Sequence, residues 1–243
     1  MASTPIFEPG TVLAFDLQGP MAHFRDMQTN SSCLTYPFPP PTAISGLVAG
    51  ILGMDKGSYH EIFAPDKCFM ALEPKVPMRK AIFTVNYQVT FETGVTQIPF
   101  EVMLPENGDE IIYRLFFSCD DATIMEKLRS MILDGKAIYP PCMGSAGFLA
   151  TVVYFGEGEA SKVPDGTEVE VSTVLRASGL ELASWTSGIK LMPAFMRRGF
   201  GAGRKPGAAE KYFLATGNHP VVRAIGNLYD LAFKDLIVHS CRM

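Results

Sequence analysis

The stretch TYPFPPPTAISGLVAGILG, Thr35–Gly53, runs from a proline cluster straight into an apolar segment dotted with glycine. Pro37, Pro39 and Pro40 fix their own φ and push the residues before them toward extended conformations, and Pro41 is suited to open a helix. Beyond it, Ile44, Leu47, Val48, Ile51 and Leu52 recur at helical spacing and define a single apolar face. Gly53 stands where a left-handed C-terminal cap belongs. The apolar run is far shorter than the roughly 20 residues a bilayer requires, so the segment is predicted to be a core helix. Gly46 and Gly50 strip one stripe of that helix to backbone, which lets a sheet or a neighbouring chain segment pack closely against it.

Working outward, TVLAFDLQ (Thr11–Gln18) ends at Gly19-Pro20 and reads as the first strand. After the helix, KCFMALE (Lys67–Glu73) and AIFTVNYQVTF (Ala81–Phe91) read as strands on either side of a proline-bounded breaker. Val95–Leu104 and Ile111–Ser118 flank Asn107-Gly108, the favoured connection of a tight hairpin, and are expected to pair. Asp120 and Asp121 supply an N-cap and favourable charge for a second helix, whose apolar face is Ile124, Leu128, Met131 and Ile132 and whose stop is Gly135. FLATVVYF (Phe148–Phe155) has the continuous apolar character of a strand at a sheet centre. The order strand, helix, strands, helix, strand predicts an α+β fold: a ferredoxin-like βαββαβ domain over residues 1–160 with a β insert over about 78–114. Residues 161–243 are expected to form a smaller α/β extension, with a strand at Thr167–Leu175, a glycine-rich basic loop at Arg197–Gly207 and a closing helix bearing Val221, Ile225, Leu228 and Ala232.

Composition narrows the functional classes. The chain has 243 residues, 47% hydrophobic and 19% charged, as a globular protein does, and its N-terminal segment lacks the basic and apolar regions of a secretory signal. It is expected to be cytoplasmic, with no membrane partner. Five cysteines without a CxxC pair argue against a disulfide framework or a zinc knuckle and predict free thiols, mostly buried. The net charge of −4 excludes the broad basic footprint of an independent binder of naked nucleic acid, so any such site must be a local patch. HExxH, GxSxG, P-loop and EF-hand spacings are all absent from the sequence, and no metal or other cofactor is expected. The GxGxG of RRGFGAGRKPG does not lead into a periodic helix, so a dinucleotide loop is rejected. His23, His60, His219 and His239 show no metal-ligand spacing.

The basic residues do cluster: His23 with Arg25, Arg79 with Lys80, Arg197 with Arg198, and Arg204 with Lys205. Each cluster sits at a predicted turn or strand end beside glycine, proline or an aromatic residue, a setting suited to phosphate contacts and to stacking of unpaired bases. Asn86 and Tyr87 on the inserted strand offer an amide edge and an aromatic platform, although core packing explains Tyr87 equally well.

Three stretches together, FDLQGPMAHFR (Phe15–Arg25), TYPFPPPTAISGLVAGILG, and YPPCMGSAGFLATV (Tyr139–Val152), resemble the CRISPR-associated protein family number five of the RAMP superfamily. The matching features are a glycine turn leading to a phenylalanine-arginine pair, prolines before a glycine-bearing helix, and a proline-x-x-hydrophobic-glycine element ending at Gly144. The resemblance implies an RNA-recognition-like ferredoxin fold with a β-hairpin thumb. It further implies a role in the Cascade complex, antiviral defence by gripping the 5′ handle of CRISPR RNA and capping the backbone filament. A backbone subunit and a large subunit would be its neighbours, and target DNA would be met through the complex. A type I-B-like, noncatalytic subunit is the assignment that this resemblance implies. The RNA-binding candidates are Arg25, Arg79, Lys80, Asn86, Tyr87, Gly144, Arg197, Arg198, Arg204 and Lys205. One branch, in type I-C systems, is itself a metal-independent ribonuclease. For that alternative, Tyr36, His23 and Lys80 are the catalytic candidates, but the adjacent Lys-His pair characteristic of that branch is missing.

Overall fold

The computed structural model describes residues 6–29, 33–88, 94–178, 180–184, 187–201 and 205–243. In chain order, β1 (Thr11–Gly19) is followed by the short strands β2 (Phe24–Arg25) and β3 (Thr35–Tyr36), helix α1 (Pro41–Leu52), β4 (Cys68–Pro74), β5 (Met78–Gln88), β6 (Val95–Pro105), β7 (Ile111–Cys119), helix α2 (Ala122–Leu133) and β8 (Thr151–Lys162). The C-terminal third contains β9 (Glu168–Glu170), β10 (Leu175–Arg176), β11 (Leu180–Ser184), β12 (Lys190–Arg197) and β13 (Phe200–Gly201). It continues through β14 (Lys205–Pro206), β15 (Ala209–Thr216), β16 (Val221–Ala224), β17 (Leu228–Phe233) and β18 (Leu236–Cys241). The fold is therefore mostly β with two α-helices among the described residues, in line with the expected α+β class.

The main sheet runs in the order β18-β17-β8-β1-β7-β4, and every neighbouring pair is antiparallel. Its core follows from alternation along the pleat. Leu13, Phe15 and Leu17 of β1 pack with Ile44, Val48 and Ile51 of α1 and Leu128 and Ile132 of α2. Val12 and Ala14 pack on the opposite face with Phe69, Phe116, Tyr229 and Leu231. A strand buried on both sides needs apolar residues at successive positions, which β1 and β7 supply.

Helix α1 forms as its sequence dictates. Pro41 occupies the first turn, and Gly53 caps the end at φ +73°, a conformation glycine adopts without steric cost. The glycine stripe meets a loop rather than a sheet: the N–H groups of Ile138 and Tyr139 donate to the carbonyls of Ile51 and Gly50, each at 3.1 Å. The Ile51 carbonyl, which the helix end would leave without a partner, is thereby satisfied, while that of Gly50 also accepts from the Gly53 N–H at 3.2 Å. In α2 the Asp121 carboxylate accepts from the N–H groups of Thr123 and Ile124 at 2.9 and 3.2 Å, the expected cap. The five cysteines are free thiols, and Cys68, Cys119 and Cys241 are buried. No helix among the described residues is long and apolar enough to cross a membrane.

Two expectations are corrected. Val95–Leu104 does not pair with Ile111–Ser118: β6 pairs with β5 from Met78 opposite Pro105 to Gln88 opposite Val95, while β7 lies between β1 and β4. Asn107-Gly108 does make a turn, with Gly108 at φ +84°. Burial decides the partner, because Ile111, Tyr113, Leu115, Phe116 and Phe117 are all fully buried and require a sheet centre. The expected closing helix is absent too. Val221, Ile225, Leu228 and Ala232 are distributed over β16, β17 and the turn between them, which Gly226 makes at φ +85°. Val222, Ala224 and Leu228 instead enter a small core with Val163, Val171 and Cys241. The described C-terminal region is therefore built of strands, and β17 and β18 extend the main sheet.

On the sheet face away from the helices, Asp16 and Arg114 are cross-strand neighbours joined by two bonds of 2.8 and 2.9 Å. The Arg114 guanidinium also lies 3.4 Å from the centroid of the Phe155 ring. Both charged side chains are almost nine-tenths covered, at 12% and 13% exposure. Removing one member of such a pair leaves the other charge desolvated without a counterion. Asp16→Ala is expected to lower the free energy of urea unfolding by about 3 kcal/mol. Lys136→Ala, which breaks an exposed pair with Asp134, is expected to change it by less than about 0.5 kcal/mol.

Candidate nucleic-acid interface

The β2–β3 ribbon is too short to hold its own shape and is fixed by side chains. The Thr35 hydroxyl accepts from the Phe24 N–H at 2.8 Å, and the Thr35 N–H donates to a Glu101 carboxylate oxygen at 2.9 Å. The same oxygen receives the Lys80 ammonium at 2.9 Å, and Lys80 also donates to the Thr35 carbonyl at 2.9 Å. The Glu101 carbonyl, in turn, is 2.7 Å from His23 Nδ1, so that nitrogen carries the proton and donates. Glu101 thus ties the ribbon, the base of the β5–β6 hairpin and the chain after β1 together.

Beside this knot lies a cavity of about 570 Å³. One wall is the His23 ring stacked on Phe100, with centroids 4.1 Å apart. Another is formed by Tyr59, His60 and Phe200, the last two ring centroids 5.0 Å apart in an edge-on contact. Arg25, exposed on β2, and Arg197, partly exposed at the end of β12, also line it. Gly144 closes one side. A Cβ there would run into the His23 carbonyl, and the residue stands at φ +87°, so both space and backbone require glycine. An aromatic-walled recess with guanidinium groups suits an unpaired base and its flanking phosphates.

Five of the residues singled out from the sequence, His23, Arg25, Tyr36, Gly144 and Arg197, converge on this cavity. Arg79, exposed at the hairpin base, neighbours Lys80, and Asn86 is exposed farther along β5. Tyr87 sits in β5 opposite Thr96. Arg198 turns inward: its guanidinium donates to the Met243 main-chain oxygen at 3.2 and 3.3 Å and lies 3.9 Å from Glu210. Burial lowers its pKa. Lys205 is exposed in β14, and Arg204 lies outside the described residues. The aromatic Phe24 is buried rather than presented for stacking.

The three side chains considered for catalysis are spatial neighbours, each already engaged. The Tyr36 hydroxyl donates to the Phe195 carbonyl at 2.8 Å, and burial pushes its pKa up to about 12, so it is protonated at neutral pH. His23 and Lys80 hold Glu101 as described. The contributions of Tyr59, His60, Phe100 and Glu101 were not read from the sequence. Tyr59 and His60 stand in an isolated helical turn, and no local spacing marks their approach to Phe200.

Residues 12–72 match the family model of the CRISPR-associated protein (Cas_Cas5). The matched segment contains Phe15–Arg25 and Thr35–Gly53, two of the three stretches that carry the resemblance to that family, and leaves Tyr139–Val152 outside it. No curated protein sequence is matched. Among solved structures, a CRISPR protein from Archaeoglobus fulgidus is similar at 14% identity, with 96% of this chain and 100% of that chain covered and a TM-score of 0.62. That likeness shows a common fold over 96% of this chain. A chain of a CRISPR RNA-guided surveillance complex aligns at 12% identity over 86% of this chain and 91% of its own, with a TM-score of 0.47.

Gly144→Ala is expected to cost more than about 2 kcal/mol in urea unfolding, from left-handed strain and the displaced His23 main chain together. The same substitution at Gly108, also at positive φ but with open space around it, is expected to show only the strain, about 1 kcal/mol.

Proposed function

We propose that this chain is the RNA-binding subunit of a type I CRISPR effector of the Cascade kind, I-B-like, and that the aromatic cavity grips the 5′ handle of CRISPR RNA. The observation that carries this reading is that the segment matching the Cas5 family, residues 12–72, itself supplies His23, Arg25, Tyr36, Tyr59 and His60 to the cavity. The strand order β8-β1-β7-β4, with α1 and α2 against one face, supports a ferredoxin-like βαββαβ unit of the RAMP type. The β5–β6 hairpin then serves as the thumb, with Arg79, Lys80 and Asn86 along it. A backbone subunit and a large subunit are the proposed neighbours, and target DNA is reached through the assembly. The net charge of −4 suits a subunit that shares its RNA with basic partners.

The subunit is proposed to be noncatalytic. Supporting this, the Tyr36 hydroxyl, His23 Nδ1 and Lys80 Nζ are all bonded to protein groups that hold the ribbon in place. A general base or acid must be within reach of the substrate proton it moves, and these atoms are committed elsewhere.

Incubating the purified chain with end-labelled CRISPR repeat RNA in EDTA is expected to leave the RNA uncut and to show retention that weakens steeply with salt. Arg25→Glu is expected to weaken retention about tenfold, by reversing a charge at a phosphate site. Specific cleavage, abolished by Tyr36→Phe, would overturn the noncatalytic reading. Retention indifferent to both salt and Arg25→Glu would overturn the cavity as the RNA site.

A further inference from the structure

Strands β12 and β15 carry a second surface that meets the cavity at Arg197. They pair with Pro193 opposite Phe213, Phe195 opposite Lys211, and Arg197 opposite Ala209. The pleat puts these six side chains on one face. On the other face Ala194, Met196, Tyr212 and Leu214, none more than 5% exposed, belong to the same core as α1. The one carboxylate in the paired register, Glu210, also turns to that inner side, 3.5 Å from Arg176 and 3.9 Å from Arg198. The outward face carries no carboxylate among its described residues: Phe195 is its exposed ring, Phe213 is half-buried against the core of Val163, Val171 and Leu175, and of its two cations Lys211 is exposed while Arg197 donates to the Gly207 carbonyl. Phe195 is 47% exposed, and the Lys211 ammonium lies 5.8 Å from the centroid of its ring and 4.8 Å from that of Phe213.

We infer that this face is a stacking platform for single-stranded RNA, continuous with the cavity. The inference rests on the cavity reading proposed above and extends the RNA path beyond it. Arg197 belongs to both surfaces. The Phe195 carbonyl accepts from the Tyr36 hydroxyl at 2.8 Å and from the Gln28 side-chain amide at 3.4 Å, which anchors the platform to the cavity wall. Its chemistry selects the occupant. An apolar protein surface would bury Lys211 without a counter-charge, and a duplex offers phosphates while keeping its base faces stacked away. An unpaired strand presents both, a base for Phe195 and a phosphate for Lys211. In a chain of net charge −4, a carboxylate-free basic stripe beside an aromatic cavity is complementary to such a strand.

The test is fluorescence anisotropy of an oligouridine of about 15 nucleotides, near the upper site size of a single small nucleic-acid-binding domain, titrated with the full chain at a series of salt concentrations. Phe195→Leu is expected to weaken binding at least about fivefold, the loss of one stacked base, and Phe195→Trp to preserve it. Lys211→Gln is expected to lower the slope of log affinity against log salt by about 0.7. Circular dichroism and thermal melting confirm that each variant folds; the hydrogen bonds of Phe195 run through its main chain, so they survive the substitution. Wild-type affinity in both Phe195→Leu and Lys211→Gln, with loss in Arg25→Glu, would overturn the platform and leave the cavity reading standing. Loss in the platform variants with Arg25→Glu unaffected would overturn the cavity reading and keep the platform. No binding by the wild-type chain at low salt would overturn both.

Discussion

The candidate site depends on one carboxylate. Glu101, its side chain 12% exposed, accepts from the Thr35 N–H and the Lys80 ammonium, while its own main-chain oxygen holds His23. Hydrogen bonds to a charged group are stronger and shorter than neutral ones, and here those to the carboxylate join segments 66 and 21 residues apart in sequence, while the neutral main-chain bond to His23 spans 78. A two-stranded ribbon of two residues per strand is unstable alone. Fixed by Glu101, it holds Arg25 exposed beside the cavity wall that the His23–Phe100 stack forms.

Rigidity at the site is inherited from the sheet behind it. β1 and β7 are apolar on both faces, so the helices pack on one side and the β17–β18 strands complete the other. Tyr113 illustrates the link. Fully buried in β7, it donates its hydroxyl to the Pro37 carbonyl at 2.8 Å, so the proline cluster that begins α1 is tied directly to the central sheet. The prolines set the entry of the helix, the helix fills the core, and the ribbon just before it is carried into position. The ribbon, the hairpin base and β12 are held to one another by Glu101 and by the Tyr36–Phe195 bond.

The sequence made the local elements legible and left the long-range pairings hidden. Pro41 and Gly53 bounded α1, and Asp121 capped α2, because those signals act within a few residues. Asn107-Gly108 announced a turn but carried no information about which strand β7 would join; that was decided by the need to bury five consecutive large side chains or near neighbours on two faces. The helical spacing of Val221, Ile225, Leu228 and Ala232 was coincidental, and Gly226 together with strand-forming valines prevailed. Within the site, His23, Arg25, Tyr36, Gly144 and Arg197 could be picked out from type and context. Glu101 could not, since an acidic residue has no visible role in a basic site until the ribbon it ties is seen, and Arg198 looked like a phosphate ligand until burial turned it inward.

The proposed RNA site predicts a strand that passes over the ribbon and toward β12. Ultraviolet crosslinking of 4-thiouridine-substituted CRISPR RNA to the chain, with the attachment sites located by mass spectrometry, tests this most directly. Crosslinks concentrated in the peptides containing residues 21–29, 59–63 and 195–201 are the predicted result. Crosslinks confined to α2 and the glutamates of β8, which do not line the cavity, would contradict it.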